Sequence, residues 1–304
     1  MQKFEITVLG CGSALPTVRH NGSAQVVNIR DKYFLIDCAE GTQLELRRNH
    51  IHLNRLFTIF ISHLHGDHCF GLMGLISTLG LLGRTAPLHI YGPEDLERML
   101  RPQIDYFCNG MDFEVIFHAI DTRINGVIYE DRSLTVETIP LKHRVACCGF
   151  LFREKPNPRH IRPEAIEHYQ IPRSQINNIK AGLDYQNEDG IVIPNHLLTN
   201  DADPSRSFAY CSDTAFRADI AEIIKDADLL YHEATYSESE ASLSTKYFHS
   251  TAKQAATIAQ MANVRQLMIG HFSSRYEDEA LLLQEAQSVF PQTILAKERL
   301  TVKL

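Results

Sequence analysis

The sequence predicts an α/β protein, specifically an αβ/βα sandwich in which two sheets pack face to face and helices cover their outer faces. Two observations support this prediction. Apolar runs rich in β-branched residues come in two batches along the chain, and segments of helical length accompany each batch. The chain has 304 residues, 44% of them hydrophobic, which is enough to bury a substantial core. We expect residues 1–304 to form a single domain.

The first batch contains four strand-like runs that are separated by turn signals such as RDK and AEGT. These runs are FEITVLG, AQVVNI, KYFLIDC and LFTIFIS. After a histidine-rich segment, the stretch CFGLMGLISTLGLLGR has helical length and a broad apolar face despite its four glycines. The stretch PLHIYGPEDLERMLRPQI then predicts a strand, a turn and a helix.

The second batch begins with three further strand-like runs, FEVIFHAI, GVIYE and LTVETIPL. A proline-marked insert follows. Strands and helices then alternate through SFAYCSDT, ADIAEIIKDADLLYHEATY, TAKQAATIAQMANV and QLMIGHFSSRY, up to a last helix around EDEALLLQEAQSVF. Two batches of strands covered by helices fit a sandwich better than one alternating parallel sheet.

Composition argues against several classes of protein. No run reaches the roughly 18 apolar residues of a membrane helix, and the start MQKFEITVLG lacks the basic and apolar regions of a signal peptide. We therefore expect a soluble, cytoplasmic protein. The cysteines number seven and form no C-x-x-C pair, which argues against a disulfide framework and a thiolate zinc ribbon. The sequence suggests no role for the adjacent pair Cys147 and Cys148.

The net charge of −7 does not indicate a nucleic-acid binder, because such proteins usually carry a basic surplus. The segment 150–182 differs from the rest, since it has six basic residues against three acidic ones and four prolines. We interpret it as a polar arm that is inserted into the second half of the fold and protrudes from it. From charge alone, an ordinary solvated loop of mixed charge is an equal alternative.

Ionisable side chains follow five of the predicted strands at their carboxyl ends. They are His63, His65, Asp67 and His68 after LFTIFI, His143 after VETIPL, Asp213 after SFAYCS, His232 and Glu233 after DLLY, and His271 after QLMIG. Layered folds build a site from distant segments in this way, because the strand ends meet at one edge.

The segment SHLHGDH, residues 62–68, has the chemistry of a metal site. His63 and His65 project to the same side of an extended backbone and can bind one metal ion, while Asp67 and His68 point to a neighbouring position. Imidazole nitrogens and carboxylate oxygens suit Zn²⁺, with Mn²⁺ or Fe as alternatives. The simpler explanation is a set of loop histidines that face solvent. A group of ionisable residues this dense at the end of a buried strand argues against it, because buried charges need partners and such a density has few other uses.

Four ligands are too few for two metal ions that keep open coordination positions. His143, Asp213 and His271 complete the number, although each of them taken singly is more often an ordinary residue than a ligand. A carboxylate such as Asp213 can bridge two cations through its two oxygens. Two metal ions about 3.5–4 Å apart stabilise displacement reactions at phosphorus.

The motif HLHGDH resembles the signature of the metallo-β-lactamase superfamily. The motifs LGCGSALPTVRHN, PLKHR, YCSDT, HEATY, HST and GHFSSRY, spread between residues 9 and 276, are similar to those of ribonuclease Z, the tRNA 3′-processing endoribonucleases. This resemblance implies the sandwich fold, two zinc ions per subunit, precursor tRNA as substrate and a homodimer. It implies that the first zinc ion binds His63, His65 and His143, that the second binds Asp67, His68 and His271, and that Asp213 is shared.

The resemblance also implies catalytic roles for Asp67, Glu233 and His249. Asp67 would accept a proton from the attacking water, and Glu233 would orient and charge His249, the acid that protonates the departing ribose 3′ oxygen. The products would be a tRNA with a 3′-hydroxyl and a trailer with a 5′-phosphate. From spacing alone, Glu233 could instead pair with Arg275. His249 could be a surface residue that precedes a helix with Ser250 or Thr251 as its N-cap.

Some positions depart from the family pattern or match no motif. Ser212 stands where the family commonly has glycine, which leaves Asp213 in place. The family's tRNA-gripping arm usually carries a Gly-Pro-rich stretch, whereas YQIPRSQINNIKAG has no Gly-Pro pair. The histidines that match no ligand motif are His20, His50, His52, His89, His118, His160, His168 and His196.

Two other functions remain open at this point. A dimetal hydrolase acting on a small phosphodiester, sulfate ester or lactone would keep the site and would not need the arm. A zinc-dependent RNA-binding protein would retain metal and tRNA affinity without turnover, but the complete set of ligands with Glu233 and His249 argues against it. Dimetal oxidoreductases of the superfamily typically have a carboxylate where His65 stands, so the histidine favours hydrolysis.

Overall fold

Two seven-stranded sheets lie at the centre of the computed structural model, which describes residues 2–304. In chain order the strands are β1 (Phe4–Gly10), β2 (Ala24–Ile29), β3 (Lys32–Ile36), β4 (Leu56–Phe60), β5 (Leu88–Gly92), β6 (Val115–Ala119), β7 (Val127–Glu130), β8 (Leu134–Pro140), β9 (Cys148–Glu154), β10 (His160–Ile161), β11 (Tyr185–Gln186), β12 (Val192–Ile193), β13 (Thr199–Asn200), β14 (Ser207–Cys211), β15 (Leu229–Glu233), β16 (Leu267–Gly270), β17 (Thr293–Leu295) and β18 (Thr301–Lys303).

The helices lie between these strands. The α-helices are α1 (Thr42–Arg48), α2 (Gly66–Cys69), α3 (Leu72–Leu81), α4 (Asp95–Phe107), α5 (Pro163–His168), α6 (Ile176–Lys180), α7 (Asn195–Leu198), α8 (Ile220–Ile223), α9 (Ala241–Tyr247), α10 (Ala252–Met261) and α11 (Ala280–Gln287). Three short 3₁₀ turns cover Leu53–Arg55, Arg173–Gln175 and Glu238–Glu240. Within residues 2–304, none of the helices combines the length and apolar character that a membrane span requires.

Each large sheet has an antiparallel part and a parallel part. The first sheet has the order β18-β1-β2-β3-β4-β5-β6 and is parallel from β3 to β6. The second has the order β17-β16-β15-β14-β9-β8-β7 and is parallel from β17 to β14. Most of the segments that carry the predicted site residues follow strands of these parallel parts, whose carboxyl ends lie at the same edge of a sheet.

Apolar side chains fill the space between the sheets and under the outer helices. Between the sheets, the ring of Phe60 packs 5.3 Å from that of Phe150 and 5.6 Å from that of Phe152, measured between centroids. Helix α3 covers the outer face of the first sheet with buried leucines and isoleucine, and the alanine-rich face of α10 is buried against the second sheet. The structure therefore confirms the predicted αβ/βα sandwich.

The insert begins later, and ends later, than the predicted range 150–182. Residues 150–154 belong to β9, which pairs with β8 on one side and β14 on the other. Both faces of this central strand are covered, so Phe150, Leu151 and Phe152 are all buried and the strand shows no apolar–polar alternation. The insertion between β9 and β14 covers residues 155–206.

The insertion has a small core of its own. This core consists of Ala165, Ile171, Ile179, Tyr185, Ile193 and Leu198. Two short antiparallel pairings hold it together. Strand β10 pairs with β13 near the two ends of the insertion, and β11 pairs with β12 further inside it. Over residues 155–206 there are six basic and seven acidic residues, so the basic surplus of the predicted arm does not extend to the whole insertion.

Candidate active site

The strand-end side chains that the sequence singled out converge on one edge of the sandwich. His63 and His65 lie in the segment between β4 and α2, and Asp67 and His68 lie in α2 itself. His143 follows β8, Asp213 follows β14 and His271 follows β16. Within residues 2–304, two members of the strand-end group, His232 and Glu233, lie outside the ligand clusters. They are adjacent in β15 and point to opposite faces, and Glu233 contacts His249 beside the clusters.

A first set of ligand atoms consists of His63 Nε2, His65 Nδ1, His143 Nε2 and Asp213 Oδ2. His65 Nδ1 lies 3.1 Å from His63 Nε2 and 3.2 Å from His143 Nε2. Asp213 Oδ2 lies 3.7 Å from each of these Nε2 atoms. Tetrahedral zinc with nitrogen and oxygen ligands has ligand–ligand distances of about 3.3–3.4 Å, so one ion can contact all four atoms after small shifts.

A second set lies beside the first and shares Asp213. Its other ligand atoms are Asp67 Oδ2, His68 Nε2 and His271 Nε2. Asp213 Oδ1 lies 3.3 Å from His68 Nε2 and 3.1 Å from His271 Nε2. Asp67 Oδ2 lies 3.4 Å and 3.6 Å from the same two nitrogens. The two oxygens of Asp213 thus face different sets, which is the geometry of a bridging carboxylate.

Features of the second set and of the shared carboxylate fit bound metal ions. His68 Nε2 and His271 Nε2 are buried and have no hydrogen-bond partner among residues 2–304, although buried polar atoms normally have one. Burial lowers the pKa of His63, which keeps it neutral. Burial alone would raise the pKa of Asp213, but His271 and His68 hold it well below its usual range. Burial alone would lower the pKa of His68, but Asp213 and Asp37 raise it, so a cation at the second set would displace the proton of His68. The unpartnered nitrogens and the two-sided carboxylate of Asp213 fit two divalent cations.

Four of the histidines are held from behind by a contact to Nδ1. The partners are Ser62 Oγ for His63 at 3.0 Å, Asp37 Oδ2 for His68 at 2.7 Å, the Phe248 carbonyl for His143 at 3.0 Å and Thr235 Oγ1 for His271 at 2.9 Å. Such contacts fix which nitrogen is free and how the ring is turned. Each of these rings therefore presents Nε2 to the ligand sets.

Asp37 is a further candidate site residue, which the sequence analysis missed. Its carboxylate is fully buried and accepts hydrogen bonds from Ser62 N at 2.8 Å, Ser62 Oγ at 2.9 Å and Tyr210 Oη at 2.8 Å, besides its contact with His68. The signal was present, because Asp37 directly follows the strand run KYFLI. It stood alone and outside any motif of the resemblance, and so it was not counted among the strand-end residues.

Glu233 and His249 form a pair next to the ligand sets. Glu233 Oε1 lies 2.9 Å from His249 Nδ1 and accepts a hydrogen bond from Thr214 N, while Glu233 Oε2 accepts from Thr235 N and Oγ1. Burial opposes the charged form of His249, but the Glu233 carboxylate raises the pKa of that imidazole to about 9. The pair thus provides a protonated imidazole beside the ligand atoms.

The simpler explanations for these two residues do not hold. Arg275 pairs with Glu240 and packs over the ring of Tyr236, 5.1 Å from its centroid, instead of reaching Glu233. The N-cap of α10 is Thr251, which forms a capping box with Gln254. His249 lies outside that cap, and its side chain is only 15% exposed.

The ligand sets lie at the bottom of an open cleft. Two adjoining cavities of about 430 and 350 Å³ share Ala14, His65, Asp67 and Arg144 as lining residues. The second cavity also contains Tyr236, Tyr247, His249, His271 and Arg275. Arginines supply bidentate donors for phosphate and tyrosine rings supply stacking surfaces. The cleft therefore offers groups that can hold a phosphate and stack on an aromatic ring.

We predict that Asp37→Asn weakens metal binding by about 10- to 100-fold, because His68 loses its charged partner. Asparagine keeps the size of the side chain and tolerates the left-handed backbone at this position, where φ is +55°. Affinity is measured by zinc titration against a competing chelator. Asp31→Asn is the matched control, since Asp31 also has a positive φ of 63° but is exposed. Equal affinities in both variants would show that Asp37 has no part in holding the metal ligands.

Known protein families match both halves of the chain. Residues 4–156 match the model of the anti-Pycsar protein Apyc1, and residues 197–272 match the β-lactamase superfamily domain. Most of the insertion lies between the two matched ranges. The fold is similar to that in the crystal structure of the short form of human tRNase Z. The two chains superpose with a TM-score of 0.71 and 24% sequence identity, and the superposition covers 98% of each chain. At this identity the likeness supports the metallo-β-lactamase fold alone.

Closer relatives identify the family. The protein named ribonuclease Z in Bacteroides fragilis is 58% identical over 304 residues, which is the full length of both chains. The ribonuclease Z of Porphyromonas gingivalis is 51% identical with the same coverage. Identity at this level over a whole chain shows common membership of a family. The chain belongs to the ribonuclease Z family, within the metallo-β-lactamase superfamily.

Proposed function

We propose that this protein is an endoribonuclease that removes the 3′ trailer from precursor tRNA with two zinc ions per subunit. The observation that carries the proposal is the pair of ligand sets joined by Asp213, with the Glu233–His249 pair beside them, in a chain of the ribonuclease Z family. Nitrogen and oxygen ligands without a thiolate suit zinc, and Mn²⁺ or Fe could bind the same set. A cytoplasmic location is part of the proposal.

The first step is attack of water on the phosphorus atom. Two bound metal ions would lower the pKa of a water molecule from about 15.7 toward about 7 and would stabilise negative charge on the phosphoryl oxygens. Asp67 accepts the proton that this water loses. Burial alone would raise the pKa of Asp67, but His271 and His68 hold it well below its usual range, so the carboxylate is ionised before the reaction.

The second requirement is a proton for the departing ribose oxygen. As the new bond from water oxygen to phosphorus forms, the bond from phosphorus to the 3′ oxygen breaks, and that oxygen needs a proton because an alkoxide is a poor leaving group. His249 donates this proton and Glu233 stabilises its charged form before donation. The tRNA then ends in a 3′-hydroxyl and the trailer begins with a 5′-phosphate.

The shape of the cleft favours RNA over a small ester. Sites for small ligands usually enclose most of the ligand in a largely apolar cavity. Here the ligand sets lie at two adjoining open cavities, of which Arg144 lines both and Arg275 lines the second. A small ester would contact only a fraction of this surface, whereas several nucleotides of a tRNA end can occupy all of it.

The insertion is proposed to hold the body of the tRNA. Its grip cannot depend on a general basic surplus, because residues 155–206 contain more acidic than basic residues. Lys155 is paired with Glu130, Arg159 with Asp201 and Arg206 with Glu154. Arg162, Arg173 and Lys180 have no ion pair within residues 2–304, and these three cations are the candidates for phosphate contacts. We further propose a homodimer in which the insertion of one subunit holds a tRNA that the other subunit cleaves.

We predict that Asp67→Ala abolishes trailer removal, with a loss of at least about 10²-fold, since it removes both a metal ligand and the proton acceptor. Purified protein is incubated with precursor tRNA and both new ends are mapped by sequencing. Asp105→Ala, an exposed carboxylate of α4, is the control and should cleave normally. Cleavage by the folded Asp67→Ala variant at the wild-type rate would contradict the proposal.

We predict that His249→Asn separates two kinds of substrate. Cleavage of precursor tRNA should fall by about 10²- to 10⁴-fold, because the 3′ oxygen must be protonated as it leaves. Hydrolysis of bis-p-nitrophenyl phosphate should fall by less than about tenfold, because p-nitrophenolate leaves without a proton. Asp67→Ala is the comparison and should lose both activities. Equal losses on both substrates in His249→Asn would exclude the role as general acid.

We predict that the insertion serves tRNA and not the chemical step. Replacing residues 158–202 by a short Gly-Ser linker is possible because Asn157 Nδ2 donates to the Asp203 carbonyl at 3.2 Å, so the two ends are adjacent. The shortened protein should lose tRNA cleavage and keep hydrolysis of bis-p-nitrophenyl phosphate. Unchanged tRNA cleavage would show that the insertion is dispensable.

The same variant tests the dimer. A mixture of the shortened chain with Asp67→Ala chains should regain tRNA cleavage, because a mixed dimer combines one intact insertion with one intact site in the other subunit. Each chain alone is the control and should remain inactive. A mixture that stays inactive, although light scattering shows mixed dimers, would contradict cleavage across the subunit boundary.

A further inference from the structure

A second cluster of metal-ligating atoms lies where the end of β1 meets the C-terminal segment. It consists of Cys11, His20 and Glu298, and it shares no residue with the two ligand sets of the active site. Cys11 is fully buried, while His20 and Glu298 are half-buried. In the sequence His20 matched no ligand motif, because its partners lie 9 residues before it and 278 residues after it.

The distances within this cluster suit one metal ion. Cys11 Sγ lies 3.4 Å from His20 Nδ1 and 3.7 Å from each carboxylate oxygen of Glu298, and His20 Nδ1 lies 3.0 Å from Glu298 Oε2. Tetrahedral zinc has sulfur–nitrogen and sulfur–oxygen ligand distances of about 3.5 Å and nitrogen–oxygen distances of about 3.3 Å. The three side chains therefore form one face of such a tetrahedron to within a few tenths of an ångström.

The contacts behind the cluster are those of a metal-bound histidine. His20 Nε2 lies 3.1 Å from Glu279 Oε1, so the far side of the ring has a carboxylate partner. In many zinc sites the ligating histidine donates its other N–H to a carboxylate, which fixes the ring and its tautomer. The Asn21 amide donates to Glu298 Oε1 at 3.0 Å and holds that carboxylate in place.

We propose that Cys11, His20 and Glu298 bind a third divalent transition-metal ion, zinc by preference, with a water molecule as the fourth ligand. A site with one thiolate, one imidazole and one carboxylate suits zinc among the common divalent ions. On binding, the thiol of Cys11 loses its proton to solvent and His20 binds through Nδ1 while its Nε2–H donates to Glu279. No electron transfer is involved.

The role of this ion is structural. It joins the end of β1, the loop of residues 13–21 and the C-terminal segment that carries Glu298. Ala14, Pro16 and Asn21 of this loop line the catalytic cleft. Arg19 also fastens the loop, since its guanidinium donates to the carbonyls of Tyr276 and Glu277. The ion would thus stabilise one wall of the cleft without taking part in the reaction.

The proposal is tested with metal-free protein that is reloaded with Co²⁺ alone. Cobalt bound to a thiolate shows a sulfur-to-metal charge-transfer absorption in the near ultraviolet, and none of the seven proposed active-site ligands is a cysteine. The wild-type protein should bind a third equivalent of cobalt and show this absorption. Cys11→Ser should lose both. Cys108→Ser, which changes a cysteine outside the ligand clusters of residues 2–304, should keep both.

Several results would overturn the proposal. They are the absence of the absorption from the wild-type protein, its persistence in Cys11→Ser, and equal numbers of cobalt equivalents bound by the wild-type protein and by Cys11→Ser. Any of them would leave His20 as a hydrogen-bonded bridge between Glu279 and Glu298 without a metal ion. If Cys11→Ser does not fold, His20→Gln keeps the thiol and must lose the third equivalent. RNA cleavage is not the readout, so failure of the proposed function leaves this test unaffected.

Discussion

The buried carboxylate of Asp37 is the interaction on which fold and site both depend. It accepts hydrogen bonds from the amide and hydroxyl of Ser62 and from the hydroxyl of Tyr210, and its Oδ2 lies 2.7 Å from Nδ1 of His68. These donors belong to β14 of the second sheet and to the segment that follows β4 of the first sheet. A buried charge is strongly unfavourable unless such partners surround it. The ends of β3, β4 and β14 must therefore keep their relative positions, so that the carboxylate retains its hydrogen-bond partners.

A second network links the second ligand set to the proposed proton donor. Nδ1 of His271 lies 2.9 Å from Oγ1 of Thr235, this hydroxyl donates to Glu233, and Glu233 contacts His249. The hydroxyl can serve both neighbours because it accepts one hydrogen bond and donates the other. The orientation of a second-set histidine and the charge of the proposed general acid are consequently set by the same carboxylate. Buried networks of this kind hold their members in one geometry when every group is satisfied.

Much of this arrangement could be predicted from sequence, because it depends on local patterns. Apolar runs predicted most of the strands, and polar residues at their ends predicted the side chains that the fold brings together in the two ligand sets. What the sequence did not show depends on pairing between distant strands. Tyr210 reaches Asp37 only because β14 lies across from the first sheet. Strand β9 was taken for part of the insert because a central strand covered on both faces has no alternation. The short strands β17 and β18 carry too few residues for a periodic signal.

The net charge of −7 is a poor guide to RNA binding in this chain, because what matters is where the charges lie relative to the cleft. Two of its negative charges, Asp37 and Glu233, are buried carboxylates that hold histidines, and neither is among the residues that line the cleft. Two divalent cations at the ligand sets would outweigh the carboxylates that do line it. Attraction for phosphate is then concentrated at the cleft, where Arg144 and Arg275 add to it. A negatively charged surface elsewhere discourages non-specific RNA binding, and so the charge distribution favours one phosphodiester over many.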